Sequence, residues 1–151
     1  MKDYRNILCA TDFSVHCKAA AERAVEIARR YGAKLTLLHV VEYFPEDRSN
    51  QLIAPEDSEP AAYRKQQANN LLAKFADELG CADARREVNF STRSARHGII
   101  RFAEEQSIDL IVVATHGRHG IASILGATAY GVVHRAPCDV LAVRAKADTD
   151  K

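Results

Sequence analysis

The strongest constraint on the fold is a set of short, nearly all-apolar runs, each separated from the next by a helical pattern. Asn6–Ala10 (NILCA), Lys34–Val41 (KLTLLHVV) and Asp109–Ala114 (DLIVVA) have strand length and polar boundaries. A strand that is apolar at nearly every position needs cover on both faces, as in a parallel sheet between helices. Arg85–Phe90 reads as a weaker strand and Cys138–Val143 (CDVLAV) as the last one.

Helical patterns fill the intervals. Ser14 can cap a helix, and Ala21, Ala24, Val25, Ala28 and Tyr31 form one stripe of Ala19–Tyr31, which Gly32 ends. In Ala61–Leu79, Ala68, Leu71, Leu72, Phe75 and Leu79 keep the i, i+3, i+4 rule, and Gly80 closes the run. Ser94–Gln106 turns Ile99, Ile100, Phe102 and Ala103 inward, and Gly126–Arg135 is a short helix stopped by Pro137. The proline-bearing stretch 42–60 reads as a long loop that is mobile without a ligand. The alternation predicts a single α/β domain: a five-stranded parallel sheet with helices on both faces, Rossmann-like, over residues 1–146 with a polar tail at 147–151.

Composition excludes several classes of function. The formal net charge of the 151 residues is +1, so charge alone drives no binding to nucleic acid or membrane. No apolar run nears the ~20 residues of a membrane span, and the start MKDYRNILCATDF lacks a secretory apolar core. The four cysteines form no CxxC pair and read as reduced thiols, consistent with a cytoplasmic protein. Arg29-Arg30 and Arg85-Arg86 read as solvated faces, and no nucleic-acid partner is expected.

The chemistry concentrates in THGRHGIASILGATAYG, Thr115 to Gly131, which holds four of the seven glycines and two of the six histidines. It follows the DLIVVA strand, so it lies at a strand C-terminal edge, where open α/β sheets bind ligands. It contains neither GxGxxG nor GxxxxGK[ST]. Glycines nevertheless let successive N–H groups face one concavity, and a helix starting near Gly126 offers more such donors to an anion. Thr115, His116, Arg118, His119 and Thr128 add donors. The alternative is a connector of about ten residues that needs glycine only for its turns. Asp12, past the first strand, could accept hydrogen bonds from a ribose or base, or serve only as an acid at a helix start. His116 and His119 lack a third metal ligand by spacing, so no metal site is assigned. His39 reads as packed, and His97 and His134 as surface residues.

NILCATDFS, KLTLLHVV, DLIVVATHGRHG and RAPCDVLAVR together resemble the universal stress protein family over nearly the whole chain. That resemblance implies the adenine nucleotide alpha hydrolase-like fold and a small stress-response homodimer joined through Val140, Leu141, Ala142, Val143 and Arg144 of the last strand. It also implies an adenine-nucleotide site, for ATP or a related nucleotide with Mg able to accompany it. Asp12 and Val41 would flank the adenosine, and Thr115, Gly117, Arg118, Gly120, Gly126, Ala127 and Thr128 the phosphates. Ala10, Thr11, Val40, Ala114 and His116 would complete the nucleotide site.

Nucleotide-binding members of the family carry Gly, two residues, Gly, nine residues, then Gly with Ser or Thr. Here Ala114 replaces the first glycine, the spacer Arg118–Leu125 has eight residues, and Ala127 replaces the hydroxyl residue with Thr128 next to it. A register starting at Gly117 and Gly120 fits no better. Alanine at 114 suits the site only with a negative φ. Three readings stay open: a nucleotide-binding stress protein, a nucleotide-free dimeric interaction protein of the same family, and a weak ATP hydrolase or phosphotransferase with no catalytic residue identified.

Overall fold

The computed structural model describes residues 3–42, 60–116 and 126–145. Its elements, in order, are β1 (Asn6–Ala10), α1 (Val15–Tyr31), β2 (Lys34–Glu42), α2 (Pro60–Glu78), β3 (Arg85–Ser91), α3 (Ala95–Glu105), β4 (Leu110–Ala114), α4 (Ala127–Arg135) and β5 (Asp139–Val143). The five strands form one wholly parallel sheet in the order β3-β2-β1-β4-β5. This is the architecture expected from the sequence.

Period-two alternation divides the core. Ile7 and Cys9 of β1 face a cluster completed by α1 and α2, with Ala20, Ala21, Ala24, Leu72, Phe75 and Ala76. Leu8 and Ala10 face the opposite cluster, with Ile99, Phe102 and Ala103 of α3 and Ala129 and Val132 of α4. Both faces of β1 and β4 are therefore covered, which is why their sequences are continuously apolar. Asp109 ties the strands before their ladder starts. Its carboxylate accepts from the backbone N–H of Arg5 at 2.9 Å and of Asn6 at 3.1 Å.

Several expectations shift at the element ends. Ser14 caps α1 as expected, but the helix begins at Val15, one turn earlier than the alanine-rich stripe suggested. Gly32 closes it in the left-handed region (φ 64°), its N–H returning to the carbonyls of Ala28 and Arg29. Glu42 is still part of β2, and Pro60 opens α2, a position proline favours because the N–H it lacks would be unpaired there. The expected mobility of 42–60 otherwise falls on residues 43–59, outside the described residues.

The inner stripe of α2 is also rotated. Leu71 is 50% exposed while Ala76 is fully buried, so the contact face runs through Ala68, Leu72, Phe75 and Ala76. Leu71 sits at the margin of the apolar arc, which i, i+3 counting alone cannot distinguish from its centre. Tyr31 is likewise 40% exposed, its ring edge-on to Tyr4 with centroids 5.3 Å apart. Ile100 is only half-buried. Cys138 lies one residue before β5, not within it.

Candidate functional site

Strand order creates the cleft. The chain passes from β1 outward to β2 and β3, then returns to place β4 on the other side of β1. The helices that follow β1 and β4, α1 and α4, pack on opposite faces of the sheet, the arrangement that opens a crevice at its C-terminal edge. A cleft of about 620 Å³ occupies this place.

Ten of the residues expected at the site line it: Ala10, Thr11, Asp12, Val40, Val41, Ala114, His116, Gly126, Ala127 and Thr128. Thr115 does not line it directly; its hydroxyl lies 2.9 Å from His116 Nδ1. Gly117, Arg118 and Gly120 lie outside the described residues. The cleft also takes in Cys17, His39, Glu42, Arg64, Ala95 and Ile99. These come from α1, β2, α2 and α3, so no local motif linked them to the glycine stretch. The one available signal was that β2 ends beside β1, which brings His39 and Glu42 to the same edge as Val40 and Val41.

Asp12 is held by a local turn. Phe13 adopts a left-handed conformation (φ 66°), uncommon for a residue with a bulky side chain. Its N–H donates to Thr11 Oγ1 at 2.9 Å, and the Ser14 N–H donates to Asp12 Oδ1 at 2.9 Å. The Phe13 ring packs on His39, centroids 4.6 Å apart, and meets Phe75 edge-on at 6.0 Å. His39 Nδ1 in turn lies 2.8 Å from the Thr11 carbonyl. Strain of this kind, on the order of 1–3 kcal/mol, persists only where surrounding contacts hold the conformation. Here it turns the chain so that Asp12 borders the cleft. His39, expected to be packed, is both packed against Phe13 and part of the cleft lining.

Cys17 Sγ lies 3.1 Å from the same Asp12 oxygen. Burial, then the nearby Asp12 carboxylate, pushes its thiol up to about 11. Burial also pushes Cys138 up to about 11 and raises Cys9 further. At neutral pH these are protonated thiols and poor nucleophiles.

The far wall is polar. His116 is 7% exposed, and its Nε2 has no hydrogen-bond partner among the described residues. When the Thr115 hydroxyl donates to Nδ1, Nε2 carries the proton and is a donor. Beside it α4 begins at Ala127, with Gly126 as its N-cap and no side-chain cap on its first turn. The Gly126 N–H donates to the Thr115 carbonyl at 2.7 Å, pinning together the two ends of the segment 117–125. Ala114 is not among the residues with positive φ, so the loss of glycine there costs no backbone strain. Among the described residues no group of three or more His, Cys, Asp or Glu is arranged to hold a metal. No helix among them is long and apolar enough to cross a membrane.

The chain matches the family model of the universal stress protein family over residues 3–144. It is 33% identical over 140 residues to universal stress protein A homolog 1 of Coxiella burnetii, covering 93% of this chain and 96% of that protein. Among solved structures it superposes on universal stress protein UspA from Lactobacillus plantarum with TM-score 0.74 and 28% identity, covering 95% of this chain and all of that one. A universal stress protein in complex with cAMP gives TM-score 0.69 at 25% identity, covering 94% of this chain and 98% of that one.

Proposed function

We propose that this chain, which belongs to the universal stress protein family, binds an adenine nucleotide in the cleft at the strand-order switch. One observation carries the reading. An uncapped helix N-terminus and a buried imidazole nitrogen with no partner among the described residues meet at one end of a cleft that also presents apolar surface from Val40, Val41 and Ile99 and the Asp12 carboxylate. An unpaired buried polar group costs on the order of 1–3 kcal/mol, a cost that an anionic ligand would offset. The related protein solved with cAMP supports the same ligand class.

The roles divide by chemistry. Val40, Val41 and Ile99 offer apolar surface to a purine. Asp12, fixed by Ser14 and the Phe13 turn, accepts from ribose hydroxyls. His116 Nε2, the α4 first-turn N–H groups and the Thr128 hydroxyl donate to phosphate. Thr128 takes the place of the hydroxyl missing at Ala127. Any Mg would come with the nucleotide. The nucleotide supplies the charge and the purine ring, and the protein binds and orients it.

We further read the chain as a homodimer. β5 is an edge strand paired only with β4, and Val140, Leu141 and Ala142 on it are half-buried. A second copy adding its own β5 would cover that edge.

The test is direct. The purified protein is denatured and the supernatant analysed for nucleotide, and the refolded chain is titrated with ATP by calorimetry. Bound AMP or ATP, or binding heat that Asp12→Ala abolishes, supports the reading. An empty protein that gives no heat with ATP refutes it and leaves a nucleotide-free interaction protein, the reading favoured by Ala114, Ala127 and the eight-residue spacer.

A further inference from the structure

We propose that a second groove, between the start of α3 and the outer face of α4, binds a phosphate monoester. This groove of about 460 Å³ is lined by Arg93, Arg96, His97, Ile100, Tyr130, Gly131, His134 and Arg135, and shares no lining residue with the nucleotide cleft. It takes three arginines and two histidines from α3, α4 and the bend that precedes α3, and contains no carboxylate.

Four arginines elsewhere make the contrast, while Arg5, Arg29, Arg86 and Arg144 stand singly without an acidic partner among the described residues. Arg23, Arg30, Arg85 and Arg101 each pair with a glutamate. Arg93, Arg96 and Arg135 have no acidic partner among the described residues. Like charges gathered without counter-charge repel one another, so the arrangement lacks an anion. All three guanidinium charges, after desolvation, hold the His97 imidazole below its ordinary range. Three charges that act on one imidazole converge on one place. A compact dianion matches that focus better than carboxylates spaced along an acidic chain, and planar guanidinium forks suit phosphoryl oxygens.

Packing helps to form the groove. Arg96 lies with its stem over Gly131, where a Cβ would collide with Arg96 Cδ. Tyr130 packs against His134 with the rings tilted by 42° and their centroids 4.3 Å apart, and the pair forms an aromatic wall. Ser94 Oγ lies 2.7 Å from His97 Nδ1 and fixes the ring, leaving Nε2 for the ligand.

Nuclear magnetic resonance of the histidine side chains in the full-length protein tests this. Inorganic phosphate is added against chloride at equal ionic strength, and the His97 titration is followed. A bound dianion favours the imidazolium. Phosphate is therefore expected to raise the His97 pKa. The Arg96→Gln/Arg135→Gln double variant should weaken phosphate binding by at least about tenfold, while the Gly131→Ala variant, which only displaces the Arg96 stem, should weaken it less. The His116 resonance reports the nucleotide cleft separately, so failure at one site is distinguishable from failure at the other. Tighter binding of a phosphoserine peptide than of glycerol phosphate would assign the phosphate to a partner protein; equal binding would assign it to a small molecule. A His97 titration that phosphate moves no more than chloride, or a shift that persists undiminished in the double variant, overturns the proposal.

Discussion

Gly98 is a point of close approach of α3 to the sheet, and Gly98→Ala tests how tightly that approach sets the cleft wall. A Cβ at this position would stand 2.7 Å from Val40 Cγ1 and 3.1 Å from Cγ2, with Ser91 Cβ at 3.5 Å. The first distance is well below the 3.4 Å at which ordinary contact begins. Val40 is 8% exposed, in a strand with neighbours on both sides, and its β-branched side chain has little rotamer freedom. Relief must therefore come from a shift of helix against sheet. In an open helix, glycine to alanine would stabilise by about 0.5–1 kcal/mol. Overpacking costs about 1–3 kcal/mol. The second effect wins here, and Gly98→Ala is expected to destabilise by about 1 kcal/mol.

A double-mutant cycle isolates the cause. Val40→Ala alone removes two buried methyl groups and costs about 2 kcal/mol. In the double variant the new methyl at 98 enters the vacated space, so the two losses should fall short of additive by about 1–2 kcal/mol. Urea unfolding at constant m-value measures all four corners. Because Val40 also lines the cleft, ATP affinity should fall in Gly98→Ala and recover in part in the double variant. A Gly98→Ala protein as stable as the parent, or a cycle additive within about 0.5 kcal/mol, would refute the close-packing argument.

Three further outcomes follow from the same geometry. The Cys17 thiol, about 11 when folded against an ordinary 9.0, favours the native state fully below pH 9; that contribution, on the order of 2 kcal/mol, is lost as pH rises to 11. Cys17→Ala should therefore flatten the alkaline limb of the stability profile in urea melts, and an unchanged limb would count against a buried, protonated Cys17. If β5 forms the proposed dimer seam, the parent should sediment as a dimer and Val140→Lys as a monomer with the circular dichroism spectrum retained; a monomeric parent would refute the dimer, and a dimer that persists in the variant would mean another interface. Gly32→Ala meets no atom within 4 Å, so only left-handed strain opposes it, and a loss of about 1 kcal/mol in thermal melts is expected.

The sequence alone determined the layers. Short apolar runs separated by amphipathic stripes leave a parallel sheet between helices as the consistent arrangement, because a strand apolar on both faces must be covered twice. Gly32, Gly80 and Ser14 also stood out in advance as helix ends, since caps are local chemistry. The residues of NILCATDFS and of the glycine stretch pointed to the ends of β1 and β4, which border one cleft. What the linear order does not contain is lateral neighbourhood. Tertiary structure decided that β1 separates β2 from β4, and so that His39, Glu42, Arg64 and Cys17 border the same cleft as His116 and Thr128. It also decided which side of α2 is inner, left Leu71 outside, and brought Arg93, Arg96 and Arg135 together with no carboxylate among them. Period and capping act over a few residues and can be read along the chain. Strand order and the rotation of a helix about its axis are set by packing between elements distant in sequence, which only the folded chain specifies.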